Sequence, residues 1–148
     1  MVDGRQNHSW VIRVAGLSDI EAMQRVRVSV HENTLQDYSV LTPSIYKLNM
    51  VDYGCGWVCE KRGRIVGFSI ANLKKQHVWA LFVEPGEEGL GIGRALHDTM
   101  ITWLRENGAT RISLDTESGT RAERFYELAG WQLLRTDEQG ESFYEMEL

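Results

Sequence analysis

"GEEGLGIGRAL", Gly86 to Leu96, sets alternate glycines at 89, 91 and 93 directly before what reads as a helix. Glycine lacks a Cβ, so such a run lets the backbone turn tightly and lets a ligand come close to its N–H groups. The helix start adds N–H groups without intrahelical partners and the positive end of a dipole, and together these favour a phosphate. Spacing separates three kinds of phosphate loop. A dinucleotide fingerprint, G-x-G-x-x-G, read from Gly89 finds Gly91 in place but Arg94 where its last glycine belongs. A Walker loop over Gly86 to Gly91 would need lysine and a hydroxyl where Ile92 and Gly93 stand. In the third pattern, Gln or Arg is followed by two free positions, Gly, one free position, then Gly or Ala. It holds a pyrophosphate mostly by main-chain N–H groups; Gly91 and Gly93 satisfy it, and Glu88 takes its first place.

The loop is flanked by clear elements. Before it, "HVWALFV" (His77 to Val83) is unbroken apolar, which predicts a strand covered on both faces at the centre of a sheet. After it, a helix is expected from Gly91 to about Asn107, with Ile92, Leu96, Met100, Trp103 and Leu104 on its buried side and Gly108 as its stop. Further out, Ser9 to Val14 alternates as a strand, and Ser18-x-x-Glu21 reads as a capping box opening a helix to about His31. A loop leads to a short helix from Thr42 or Ser44 to about Met50, then a hairpin turning at Arg62-Gly63. Downstream come a strand from Arg111 to Thr116, a helix from Thr120 to Ala129 ended by Gly130, and strands from Trp131 to Arg135 and Ser142 to Leu148. The expected order is β-α-α-β-β-β-α-β-α-β-β, with no repeat or linker to divide it.

Composition narrows the function classes. The 148 residues suit one domain with one core, and 43% hydrophobic with 25% charged residues describe an ordinary globular chain. A net charge of −5 argues against a nucleic-acid partner, which needs a concentrated basic patch. No apolar run reaches membrane-span length, and the start "MVDGRQNH" lacks the apolar core of a signal peptide, so a cytoplasmic location is the expectation. Cys55 and Cys59 sit four apart on one face of a strand, too far along it for an easy bridge, and are expected as reduced thiols. His8, His31, His77 and His97 fall at no metal-ligand spacing, so no metal is expected.

The strand, the glycine loop, its helix, the next strand and then "AERFYELAGW" (Ala122 to Trp131) resemble the GNAT acetyltransferase superfamily, which moves acyl groups from acyl-CoA, usually to amines. The resemblance covers nearly the whole chain. It implies an α/β (α+β) fold, a GNAT-like mixed central sheet of six to seven strands flanked by about four helices, in one domain over residues 1–148. It implies that Glu88, Gly89, Leu90, Gly91, Ile92, Gly93 and Arg94 bind the CoA pyrophosphate, and that Phe82 and Val83 lie beside the acyl and pantetheine groups. Ala122 and Tyr126 match the family's A-x-x-x-Y helix, whose tyrosine sits near the thiol, with Phe125 beside it on the cofactor; Gly130-Trp131 matches the usual G-F ending. Three positions depart from the pattern: Glu88 replaces Gln or Arg, Leu90 a frequent basic residue, and Gly119 a frequent Asn. Arg94, Arg121 and Arg124 are the cations placed to offset Glu88.

The implied chemistry is direct attack of a primary amine, on a small molecule or peptide, on the thioester of acetyl-CoA. Tyr126 is the expected acid for the departing thiolate, because an ordinary phenol pKa of about 10 is near a thiol's roughly 8.5. The base is left open among Glu84, His77, His31, Glu32 and a water relay. Trp57, Trp79 and Tyr38 are candidates for the acceptor pocket. The alternative is a noncatalytic acyl-CoA-binding sensor. The family's last strands often pair between subunits, and Ser142, Tyr144, Met146 and Leu148 alternate on one face, so a homodimer is a further expectation.

Overall fold

In the computed structural model, which describes residues 9–148, the chain runs β1 (Trp10–Val14), α1 (Ile20–Ser29), α2 (Pro43–Lys47), β2 (Gly54–Lys61), β3 (Arg64–Asn72), β4 (His77–Val83), α3 (Ile92–Glu106), β5 (Arg111–Glu117), α4 (Arg121–Leu128), β6 (Gln132–Thr136) and β7 (Glu141–Glu147). This is the expected order of elements. His8 and the polar start lie outside the described residues.

The strands form one mixed sheet in the order β1-β2-β3-β4-β5-β7-β6, parallel only between β4 and β5. β4 is central and covered on both faces, which is why its sequence shows no polar alternation. One face packs on α3 and α4 through Ile92, Leu96, Met100, Leu104 and Tyr126, the 3.6-residue stripe read from the sequence. The other packs on α1 and α2 through Met23, Val26, Tyr46 and Met50. Trp103 is partly buried, its ring set edge-on against Trp57 at 5.7 Å.

Two irregularities in β4 position the site. Between β3 and β4, Ile70 pairs with Ala80 but Ala71 with Val78, so Trp79 is an extra residue. This bulge turns Trp79 and Ala80 to the α1 side in succession, while Val78, Leu81 and Val83 face α3. The second is the parallel pair itself: β4 and β5 meet at His77 and Ser113 and pair no further.

The helix starts correct one local reading. Ser18 does not cap α1. It lies in a 3-10 turn over Leu17–Asp19, and Asp19 instead accepts the Gly16 N–H at 2.8 Å while pairing with Arg13, also at 2.8 Å. Asp19 prevails because its carboxylate also gains a cation, which holds its pKa below the ordinary value through that hydrogen bond. Helix α1 stops at Ser29, two residues short of His31. Thr42 and Thr120 do cap α2 and α4, accepting from the N–H groups of Ile45 and Glu123. Cys55 and Cys59 are unbridged, and burial pushes the Cys59 thiol up to about 11.

The expected dimer face is also changed. β7 is interior, flanked by β5 and β6, and Ser142 and Tyr144 are buried within the chain's own core. The free edge on this side of the sheet is β6, with Leu133, Leu134 and nearby Leu128 exposed; the other edge is β1.

Candidate active site

The loop between β4 and α3 leaves its own donors unused. Gly86, Gly89 and Gly91 take φ of +91°, +78° and +84°, a region that a Cβ disfavours. Among the described residues, the N–H groups from Gly89 through Arg94 find no partner, while the Ala95 N–H already donates to the Gly91 carbonyl at 3.0 Å. A row of free N–H groups over the start of a fifteen-residue helix suits a pyrophosphate. Gly93 serves differently: it is helical, and a Cβ there would lie 3.7 Å from Val83 Cγ2 and 4.0 Å from Phe125 Cε1.

Glu88 is turned back on the loop's own beginning. Its carboxylate accepts the Gly86 N–H at 2.8 Å and faces Arg121 at 3.4 Å, so part of its charge is already answered. Arg94 lines the cleft and is paired with Asp98 one turn on, whereas Arg124 does not line it. Leu90 is exposed and Ile92 buried beneath the loop.

Beyond His77 and Ser113 the separating strands open a cleft of about 930 Å³ that continues to the glycine loop. Phe82 and Val83 both line it but on opposite faces of β4: Val83 lies toward Gly93 and Phe125, Phe82 toward α1.

Tyr126 reaches the cleft from α4 and is only 6% exposed. Its ring is held in an aromatic cluster with Phe125 at 5.4 Å, Trp131 at 5.8 Å and His97 at 6.4 Å. Trp131 Nε1–H donates to His97 Nε2 at 2.9 Å, which leaves the ring proton on Nδ1 for Asp98 at 2.8 Å. Burial holds the His97 pKa below its usual value, so this support stays neutral. The Tyr126 hydroxyl has no hydrogen-bond partner among the described residues, and the residue lines the cleft. Burial pushes the Tyr126 phenol well above its ordinary value. The simple match between phenol and thiol therefore fails; what this geometry offers is a neutral O–H donor at any working pH.

Candidate bases sort clearly. Glu84 is held by Arg64 and Arg25, which keep its pKa low, and it does not line the cleft. Glu32 is occupied by the Arg121 backbone N–H at 3.0 Å. His77 lies below the cleft, bonded to Ser113 at 2.7 Å and 3.5 Å from Asp115. His31 lines the cleft, as do two carboxylates the sequence reading passed over, Asp115 and Glu141. Asp115 pairs with Phe143 across β5 and β7, which sets Glu141 diagonal to it on the same face, and Asp115 is held low first by His77. Burial, followed by the hydrogen bond to Asp115, pushes Glu141 up to about 7. Strand periodicity placed both opposite buried Leu114 and Tyr144, but nothing local marked that face as a cleft wall.

Trp79 and Tyr46 meet edge-on at 5.2 Å below the acceptor side, while Trp57 belongs to the core beneath α3. Tyr38 lies 5.5 Å under the Arg27 guanidinium, although it does not line the cleft itself.

Comparison with known proteins agrees with this geometry. A stretch of the chain is 35% identical over 85 residues to the mycothiol acetyltransferase of Propionibacterium freudenreichii, covering 53% of this chain and 27% of that protein. The chain thus spans about a third or less of the length of the curated relatives it matches. An acetyltransferase of the GNAT family from Staphylococcus aureus Mu50 superposes with a TM-score of 0.79 at 20% identity, over 94% of this chain and 99% of that one. The PaiA N-acetyltransferase of Thermoplasma acidophilum, solved in complex with coenzyme A, superposes with a TM-score of 0.75 at 14% identity, over 95% of this chain and all (100%) of that one. The acetyltransferase (GNAT) family model matches residues 20–131, and the chain belongs to that family.

Proposed function

We propose that this protein moves an acetyl group from acetyl-CoA to a primary amine of a small molecule or peptide. The observation that carries this is the row of unpartnered N–H groups from Gly89 to Arg94 at the mouth of the β4–β5 cleft. The coenzyme A complex of a fold relative supports the donor. In this reading the loop and Arg94 hold the pyrophosphate, and Val83, Gly93 and Phe125 border the pantetheine. The amine enters from the α1 side past Phe82.

The amine nitrogen bonds to the thioester carbonyl carbon, the carbon–sulfur bond breaks, and the products are the acetamide and free CoA. The amine's surplus proton passes to the Asp115–Glu141 pair, and the CoA sulfur leaves as a thiolate that accepts a hydrogen bond from the neutral Tyr126 hydroxyl and takes its proton from solvent. The test is calorimetric titration with acetyl-CoA beside ATP and NAD, followed by CoA release with a panel of amines. Micromolar, CoA-selective binding with amine-dependent release is expected; equal binding of ATP, or no release, would refute it.

The pair makes the pH dependence specific. Glu141 accepts a proton only when ionised, so kcat/KM should carry, in addition to the inflection from ionisation of the amine itself, one near 7. A Glu141→Gln variant should lose roughly 100-fold in kcat/KM, together with that inflection. An unchanged pH profile in the variant would exclude Glu141 as the base.

The same reading puts the protein in the cytoplasm, where unbridged thiols such as Cys55 and Cys59 persist. It also makes the protein a homodimer, supported by the exposed Leu128, Leu133 and Leu134 at the free β6 edge. Light scattering at micromolar concentration should give twice the chain mass, and a monomer would end that part of the proposal.

A further inference from the structure

Arg27 is the cation the family resemblance left unassigned. It sits near the end of α1, lines the cleft and is only 8% exposed. Its guanidinium lies 4.3 Å over the Phe82 ring, and one arm donates to the Asn33 carbonyl at 2.6 Å. The other nitrogen, Nη1, is buried with no partner. No carboxylate faces it among the described residues: the groups supporting its charge are the phenols of Tyr38 and Tyr46, and burial lowers its pKa. A buried guanidinium without an anion is expensive to keep, and a charge-assisted partner would offset that cost.

Its location says whose anion is missing. Asn33, to which Arg27 donates, is latched across the cleft: its side chain meets Thr116 at 3.1 Å and the Glu117 N–H at 2.7 Å. Arg27 is thereby fixed between Phe82 on β4 and the β5 wall, on the α1 face. The glycine loop that takes the pyrophosphate has its own N–H groups and Arg94. The acidic Asp115 and Glu141 also line the cleft wall, Glu117 is tied to the Asn33 N–H at 2.8 Å, and apolar lining comes from Leu41, Tyr46, Phe68 and Trp79.

We propose that Arg27 receives the carboxylate of the acceptor, so that the amine acetylated here belongs to an amino acid with an apolar side chain. Its amine lies toward the acidic wall, its carboxylate on the guanidinium, and its side chain on the aromatic floor. This rests on the amine acetyltransferase reading above.

The experiment uses three matched compounds. With saturating acetyl-CoA, kcat/KM is measured for L-phenylalanine and for phenethylamine, which lacks only the carboxylate. Binding of 3-phenylpropionate, which lacks only the amine, is measured by calorimetry on the CoA complex. The native protein should prefer L-phenylalanine by about 10- to 100-fold and should bind 3-phenylpropionate. Arg27→Met should abolish both the preference and that binding while its Kd for acetyl-CoA stays the same; Arg27→Lys should keep part of the preference. Arg27→Met removes an unpaired buried cation, and an unchanged circular dichroism melt establishes that it folds. Equal kcat/KM for the two amines in the native protein, a preference that survives Arg27→Met, or loss of acetyl-CoA affinity in that variant would each overturn the inference. Arg27-dependent binding of 3-phenylpropionate without any amine turnover would uphold the carboxylate site and refute the catalytic reading instead.

Discussion

A Gly91→Val variant is expected to bind acetyl-CoA on the order of 100-fold more weakly than the native protein, or not measurably. Two effects combine. Gly91 holds φ at +84° as the residue before α3, and an L side chain there costs about 1–2 kcal/mol, more for a branched one. The loop relieves that strain by rotating its peptides, which turns away N–H groups that otherwise converge on one anion. Each hydrogen bond to a charged group contributes about 1.5–3 kcal/mol, so losing one or two accounts for the expected fall. Gly93→Ala is the control. Gly93 is helical, its added Cβ meets nothing closer than 3.7 Å, and the loop pattern itself accepts alanine there. Calorimetry on both variants, with thermal melts to show that each folds, separates a blocked site from a lost fold. Native-like affinity in Gly91→Val would mean that the loop does not hold the pyrophosphate.

The second large effect is expected at Tyr126. Tyr126→Phe should lower kcat by about 100-fold and leave the Kd for acetyl-CoA nearly unchanged. The ring keeps its contacts with Phe125, Trp131 and His97, so the packing of α4 is preserved. The hydroxyl has no partner to lose among the described residues, so its removal strands nothing and the melt should not fall. What is lost is the one O–H directed into the cleft from α4. Because burial keeps the phenol neutral, its ionisation should put no alkaline limb on the native profile below about pH 10, its ordinary value. Native-like kcat in Tyr126→Phe would make the tyrosine a packing residue and strengthen the noncatalytic alternative.

Legibility followed the range of the interaction concerned. The glycine loop, the α3 stripe, the Thr120 start of α4 and the Gly130 stop are settled within a turn or two of chain and could be read directly, while at α2 the sequence left Thr42 and Ser44 open and Thr42 is the cap. The capping box at Ser18 failed because its competitor, Asp19, was strengthened by Arg13 on the preceding strand. The last strand was read with correct alternation but wrong surroundings, since alternation does not say whether a strand is an edge. The phenol of Tyr126 was given its ordinary pKa, which burial by its neighbours overturned.

The sequence by itself thus determined the order of elements, the fold family and the turning glycine loop before α3, because periodicity and glycine conformational freedom are local properties. Only the tertiary structure decided where β4 and β5 part, that Trp79 forms a bulge, and that Asp115 and Glu141 line one cleft. It alone brought Arg27 and Asn33 to a strand more than eighty residues away, at Thr116. Those facts depend on solvent exclusion and on charges meeting across the fold. The burial or pairing of a charged side chain is a property of its neighbours, which no short window of sequence contains.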